Sequence, residues 1–150
     1  MPTLFRTIAG VASAVWLGWL IAMFVIVRAL FAAELVKGDS QAERLVIFDV
    51  TQKAQLALAA LMLIGLAGWQ VLTKRKSVAA WFGVAVVTAL LAAALPMFVT
   101  AEMESLRLDG QSGTDRFRQL HAISVGMFGG LTLLTGAILT GIVTHRDQPT

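Results

Sequence analysis

Six polar residues close to the ends of apolar stretches have side chains that can bind a ligand or transfer a proton. They are Arg28, Asp49, Glu102, Arg118, His121 and Ser124. An imidazole titrates near neutral pH and can exchange a proton with a carboxylate, and arginine binds carboxylates and other anions. Arg28 beside Asp49, with Glu102 beside His121, would form a polar cluster suited to either task. The alternative is that these side chains only reach water and lipid headgroups at a membrane border.

The composition predicts an integral membrane protein. Of 150 residues, 57% are apolar and 14% are charged, and the mean hydropathy is +0.78. A soluble domain of this size could not cover so much apolar surface. Four runs reach the roughly 20 apolar residues that a span needs, at 8–27, 54–73, 78–99 and 122–143. We interpret the first run as a retained helix, because it is too long for a typical signal peptide.

Short polar segments at 38–40, 74–77 and 109–113 join the four runs. Ser40 with Glu43, and Ser112 with Asp115, match the capping box of a helix start. The sequence therefore predicts a single all-α domain over 1–150, an up-down-up-down four-helix bundle. Pro96 predicts a kink late in the third helix.

The helices are expected to extend beyond the bilayer at the end that holds the two longer connections. Amphipathic extensions of ten or more residues would reach about 15–20 Å past the hydrocarbon, at 1.5 Å per residue. Counting back from the turns places Arg28, Asp49, Glu102 and His121 at one level, roughly 13–15 Å below the tips. That level coincides with the apolar border of each run.

The basic run Lys74, Arg75 and Lys76 lies in the shortest connection, between Trp69 and Trp81. Basic residues in short loops favour the cytoplasmic side, and tryptophans favour the interface. We therefore expect both termini in the cytoplasm, the projecting end on the other side, and a bacterial inner membrane as the location. Orientation explains the basic run, so nucleic-acid binding is not predicted.

The last helix combines a polar and aromatic stripe with a glycine motif. The stripe contains Phe117, His121, Ser124, Phe128, Thr132 and Thr135. Gly126 and Gly130 lie near the opposite face in a G-x-x-x-G pattern, which allows close approach of a second helix. We expect protein on both sides of this helix, from the same chain, from other membrane subunits or from a second copy.

No catalytic, metal or cofactor site is predicted. The chain has no cysteine, which excludes disulfides and thiolate ligands, and it has no P-loop or H-E-x-x-H motif. His121 and His145 are about 36 Å apart along a helix, too far to bind one haem. Met97 and Met103 near His121 leave a copper site open as an alternative, although methionines usually fill cores.

The segment 117–124, FRQLHAIS, resembles the F-x-x-L-H-x-x-S signature of the transmembrane protein 205-like family. Trp16-Leu17-Gly18 and the later pair Leu30-Phe31 are similar to further motifs of that family. The resemblance implies a small four-helix membrane protein that carries a domain of unknown function.

Three functional hypotheses follow from the sequence. The favoured one is a non-enzymatic accessory or scaffold subunit of a membrane assembly, whose surroundings are the lipid bilayer and other subunits. The second is a ligand-binding or transport-related protein that uses the polar cluster. The third is a redox or copper-associated subunit.

Overall fold

The computed structural model describes residues 1–32 and 41–145, with side chains at 1–29 and 49–145. This part of the chain is helical apart from two short connections. The elements are α1 (Pro2–Ala32), α2 (Gln41–Thr73), α3 (Lys76–Ala94), a π-helical segment (Leu95–Thr100), α4 (Ala101–Leu108) and α5 (Asp115–Thr144). The π-helical segment continues directly into α4, so α3 and α4 form one interrupted helix.

Four helical stretches in the described residues are long and apolar enough to cross a membrane. They are Pro2–Ala29, Asp49–Thr73, Lys76–Leu108 and Asp115–Thr144. The predicted all-helical fold with four helices able to span a membrane by length and composition is therefore confirmed. The four apolar runs seen in the sequence lie inside these stretches.

The turn between α2 and α3 contains only Lys74 and Arg75. Lys74 adopts φ 52°, and its N–H donates to the carbonyl of Gln70 at 2.7 Å. Arg75 is extended and precedes the first residue of α3. A left-handed lysine is unusual, because its Cβ crowds the carbonyl oxygen, and it reverses the chain here without a glycine.

The turn between α4 and α5 begins with a Schellman motif. Gly110 has φ 70°, its N–H donates to Arg107 O, and the N–H of Gln111 donates to Leu106 O at 2.8 Å. These bonds satisfy carbonyls that the end of α4 leaves free.

The start of α5 differs from the predicted capping box. The N-cap is Thr114, whose Oγ1 accepts from the Phe117 N–H at 3.3 Å, so Ser112 is not the cap. Ser and Thr both serve as N-caps, and the turn bond from Thr114 N to Gln111 O delays the helix start by two residues. The predicted box at Ser40 and Glu43, with Gly38, lies outside the described residues.

Pro96 interrupts the third helix as a π-helical turn. Proline lacks the N–H that would donate to the carbonyl four residues earlier. The following turn widens, and the N–H of Ala101 donates to Pro96 O, five residues back. The Thr100 hydroxyl makes a similar contact with Leu95 O at 3.4 Å. The wider turn accommodates one additional residue, and the helix continues beyond it.

The helices pack as neighbours in a closed order: α1 contacts α2 and α5, and α3 contacts the same two helices. Large side chains without exposure fill the space between them, including Trp16, Leu20, Met62, Leu66, Leu131 and Ile138. Gly65 sets the closest approach of α1 and α2, since a Cβ there would lie 2.6 Å from the Ala9 nitrogen.

Candidate functional site

Arg28 and Asp49 do not form the predicted pair. Both side chains are exposed, and the Asp49 carboxylate accepts from Lys53 Nζ at 2.7 Å, one turn along α2. Rotation about each helix axis, which spacing alone does not specify, decides this outcome. In the part of the chain that the structure describes, no hydrogen bond or ion pair joins Arg28 to Asp49.

Glu102 also has a partner other than the predicted one. Arg116 donates from Nε to Oε1 at 2.7 Å and from Nη2 to Oε2 at 2.8 Å, a bidentate pair that ties α4 to α5. His121 is exposed, and no hydrogen bond within the described ranges links it to Glu102. Glu102 is thus held by the first turn of α5 instead of by the imidazole.

The two remaining members of the predicted cluster do not converge on His121. Arg118 pairs with Asp115 within the first turn of α5, and both side chains are well exposed. Ser124 is half-buried. The six residues therefore form separate local contacts in this structure, and a ligand-binding role for them stays a prediction.

The predicted packing glycines, Gly126 and Gly130, do not face another described helix of this chain. Apart from the neighbouring residues and backbone of α5 itself, a Cβ at either position would meet no atom of the described residues within 4 Å. The glycines that do permit close packing are Gly65 against Ala9, Gly68 against the Phe5 ring, and Gly141 against Trp81. The G-x-x-x-G pattern thus lies on an open face, and contact with another protein stays a prediction.

A cation–aromatic cluster lies at the end of the protein that holds the turn between α2 and α3. Its members, Arg6, Trp69, Arg75 and His145, share no motif in the sequence. The Arg6 guanidinium donates to the Ile142 carbonyl from Nε at 3.2 Å and from Nη2 at 3.0 Å, and to the His145 carbonyl at 2.7 Å. Its Cζ lies 5.6 Å from the ring centroid of Trp69.

This arrangement caps the C-terminus of α5. The last carbonyls of a helix lack N–H partners and carry partial negative charge, so a guanidinium is a favourable partner there. Trp69 was expected to anchor the lipid–water border, but only 1% of it is exposed. It is buried because Arg6 and the end of α5 cover it.

His145 completes the cluster from the other side of Trp69. The two rings meet edge to face, with centroids 4.9 Å apart at 87°. Arg75 Nη1 lies 3.2 Å from His145 Nε2. Since arginine can only donate, a hydrogen bond here requires His145 to carry its proton on Nδ1. The short turn between α2 and α3 is thereby tied to the end of α5.

The two methionines considered as copper ligands, Met97 and Met103, lie in different environments. Met97 is 68% exposed on the outer surface, whereas Met103 packs against the core. Among the described residues, no group of three or more His, Cys, Asp or Glu side chains could hold a metal ion.

Five buried side-chain polar atoms have no hydrogen-bond partner among the described residues: Trp16 Nε1, Trp19 Nε1, Gln70 Oε1, Glu104 Oε1 and Thr135 Oγ1. Among these, only Trp16 and Thr135 belong to the fully buried core. Both side chains have no exposed surface. Buried Ser13 and Thr88 instead donate to carbonyls of their own helices, Ala9 O and Val84 O, at 2.8 Å. The helical spacing placed Thr135 in the polar and aromatic stripe. It could not predict that the Thr135 hydroxyl has no hydrogen-bond partner.

Comparisons with protein-family models, curated proteins and solved structures returned no match for this chain.

Proposed function

We propose that this protein is a non-enzymatic accessory or scaffold subunit that binds another membrane protein through α5. The supporting observation is the open glycine face of that helix. A Cβ added at Gly126, Gly129 or Gly130 would have no atom of residues 1–32 or 41–145 within 4 Å, apart from the neighbouring residues and backbone of its own helix. Membership of the transmembrane protein 205-like family stays a prediction within this proposal.

We propose an up-down-up-down four-helix bundle as the architecture. The contact of Gly68 with Phe5 and the bond from Arg6 to His145 support it, since they join the ends of α2 and α5 to the start of α1. Contacts of Thr51 with Met23 and of Glu102 with Arg116 support a second common end. Helices that meet in this way alternate in direction.

The proposed orientation has both termini in the cytoplasm of a bacterial cell and the turn around Gly110 on the other side of the inner membrane. The distribution of charge supports it. Lys74, Arg75 and Lys76 share one end with Arg6, whereas the described carboxylates lie towards the other end, at Asp49, Glu102, Glu104, Asp109 and Asp115. Basic residues in short loops beside spans favour the cytoplasmic side.

The coverage of α5 supports it as the docking helix. In its most apolar 18-residue window 17% of the residues are buried, against 28% in each of the other three helices. Leu133 lies seven residues after Gly126, on the same face, and is 77% exposed. Glycines beside an exposed leucine let a partner helix approach closely and still gain side-chain contact. The partner we propose is a transmembrane helix of a different subunit.

Site-specific photo-crosslinking in native membranes tests this proposal. A photoreactive amino acid at Leu133 is expected to give one discrete adduct with a different membrane protein, identified by mass spectrometry. The same probe at Leu90 on α3, which is 64% exposed, serves as the matched control and is expected to give no discrete adduct.

A second variant links the adduct to the glycine face. Gly126→Leu is expected to abolish the Leu133 adduct, whereas Gly83→Leu, at another open glycine, is expected to leave it unchanged. Adducts only with a second copy of this chain, only with lipid, or equal at Leu133 and Leu90 would contradict the proposal.

A further inference from the structure

The structure shows an unusual threonine in the interior of α5. Five threonines of the described helices donate their hydroxyls to the carbonyl four residues earlier: Thr73, Thr88, Thr132, Thr140 and Thr144. This bond within the helix is the usual arrangement for a threonine in an apolar environment. Thr135 is fully buried but does not make it, so its hydroxyl is left available to another partner.

Trp16 of α1 is at nearly the same level as Thr135. A Cβ on Gly10 would contact Ile142 at 3.6 Å, and one on Gly136 would contact Leu17 at 3.9 Å. These contacts give the register of two antiparallel helices and place Trp16 beside residues 136–137. At 1.5 Å per residue, Trp16 and Thr135 differ in height by about 3 Å or less.

Thr88 of α3 lies at this level as well. The Trp81 ring packs against Gly141, so Thr88, seven residues after Trp81, lies within about one helical turn of residue 134. The Thr88 side chain is fully buried, and its hydroxyl, although it donates to Val84 O, keeps lone pairs that can accept. The helix α5 and its two neighbours, α1 and α3, therefore contribute polar groups to one buried level.

We propose that these three side chains bind an internal water molecule between α1, α3 and α5. The indole N–H of Trp16 donates to the water oxygen, and the water donates to the hydroxyl oxygens of Thr135 and Thr88. A buried water usually has two to four such partners. Inside a membrane, where no bulk water compensates an unpaired group, this binding removes the cost of leaving the indole and hydroxyl unpaired.

The charge of the surroundings supports a neutral ligand. In α1, no charged residue lies between Arg6 and Arg28, and along α3 and the π-helical segment into α4, none lies between Lys76 and Glu102. Trp16 and Thr88 are both about midway along these intervals. An ion at this level would lack a counter-charge in a medium of low dielectric constant, whereas water needs only hydrogen bonds.

NMR of the protein in lipid nanodiscs, with ¹⁵N-labelled tryptophan, tests the proposal. The chain has four tryptophans, and the Trp16 indole signal is assigned as the one that disappears in Trp16→Phe. This N–H is expected to show a direct cross-relaxation peak with water while exchanging slowly with the solvent. If Trp16→Phe does not fold, the other three tryptophans are replaced one at a time and Trp16 is assigned by elimination.

Variants of Thr135 identify the partner of the water. Thr135→Val, which removes the hydroxyl at nearly constant volume, is expected to abolish the peak, and Thr135→Ser is expected to retain it. Thr132→Val is the matched control, because the Thr132 hydroxyl bonds to Phe128 O, and it is expected to leave the peak in place. A Trp16 indole without a water peak, or a peak that survives Thr135→Val, would overturn the proposal.

Discussion

Arg116 in the first turn of α5 binds both carboxylate oxygens of Glu102 in α4, at 2.7 and 2.8 Å. The pairs of Lys53 with Asp49, Arg107 with Glu104 and Arg118 with Asp115 each form within a single helix. The Glu102–Arg116 pair is therefore a link between two helices. Arg116 therefore binds the Glu102 carboxylate that was predicted to lie beside His121.

The pairing of Glu102 with Arg116 predicts that each single charge reversal lowers the stability and that reversing both charges restores it. Glu102→Arg and Arg116→Glu are each expected to lower the thermal unfolding midpoint in detergent, because each places like charges together. The double variant is expected to recover most of the loss. The same exchange of Asp49 and Lys53 is the control and should change the midpoint little, since exposed pairs within a helix contribute weakly. Single and double variants of equal stability would contradict the pairing.

The close approach of α1 and α2 predicts that Gly65→Ala is destabilising. The new Cβ would lie 2.6 Å from the nitrogen of Ala9, and a backbone atom cannot move aside as a flexible side chain can. We expect a loss of about 1–3 kcal/mol in the free energy of unfolding, measured by denaturant titration in mixed micelles.

Gly83→Ala provides the control for that substitution. Gly83 lies in α3, and apart from the neighbouring part of α3 a Cβ there meets no atom of the described chain within 4 Å. Alanine has the higher helix propensity, so this variant is expected to be neutral or slightly more stable. Equal losses for the two variants would show that α1 and α2 do not pack as described.

The contact of Arg6 with the end of α5 predicts a specific role for its guanidinium. Arg6→Met keeps most of the apolar stem but removes the donors to Ile142 O and His145 O. We expect a loss of roughly 1.5–3 kcal/mol in stability, as for other charge-assisted hydrogen bonds, and faster amide exchange in the last turn of α5.

Arg6→Lys separates charge from geometry. A lysine keeps the positive charge but cannot donate from two nitrogens at once, so only partial recovery is expected. Lys53→Met, at an exposed cation of α2, should leave amide exchange in α5 unchanged. If the last turn of α5 exchanges equally in the original protein and in Arg6→Met, the guanidinium does not cap it.

The left-handed backbone of Lys74 predicts that glycine is more stabilising than alanine at this position, the reverse of the order inside a helix. Both Lys74→Gly and Lys74→Ala remove the charge, but only glycine adopts φ 52° without a steric cost. Lys74→Gly is therefore expected to be more stable than Lys74→Ala by about 1 kcal/mol. At Lys53, inside α2, the order should be reversed, because alanine favours a helix. The same order at both sites would exclude the left-handed turn.

The proposed orientation predicts which turns a membrane-impermeant thiol reagent can reach. The chain has no cysteine, so each introduced thiol is a unique label. In intact cells whose outer membrane has been permeabilised, Gly113→Cys is expected to react, whereas Lys76→Cys should react only after the inner membrane is opened. The reverse pattern would invert the orientation, and reaction of both from one side would rule out alternating helices.

The fold class and the presence of the four long helices could be predicted from the apolar runs alone. Four apolar runs such as 8–27 and 122–143 have no stable form in lipid other than hydrogen-bonded helices, given their length and lack of charge. The turns were predicted in part, since the polar segment 109–113 was expected to join the third and fourth runs. The choice of Thr114 over Ser112 as cap depended on one local hydrogen bond, which residue types do not specify.

Which side chains contact one another could not be predicted from the sequence, because it depends on how the helices pack. The heights of Glu102 and His121 along their helices were predicted by counting residues. The direction in which each side chain points depends on the rotation of its helix about the helix axis. That rotation is chosen by packing all the helices together, through contacts such as Gly65 with Ala9 and Trp81 with Gly141. The same packing buried Trp69 beneath Arg6 and brought Trp16 level with Thr135, although these partners are far apart in the sequence.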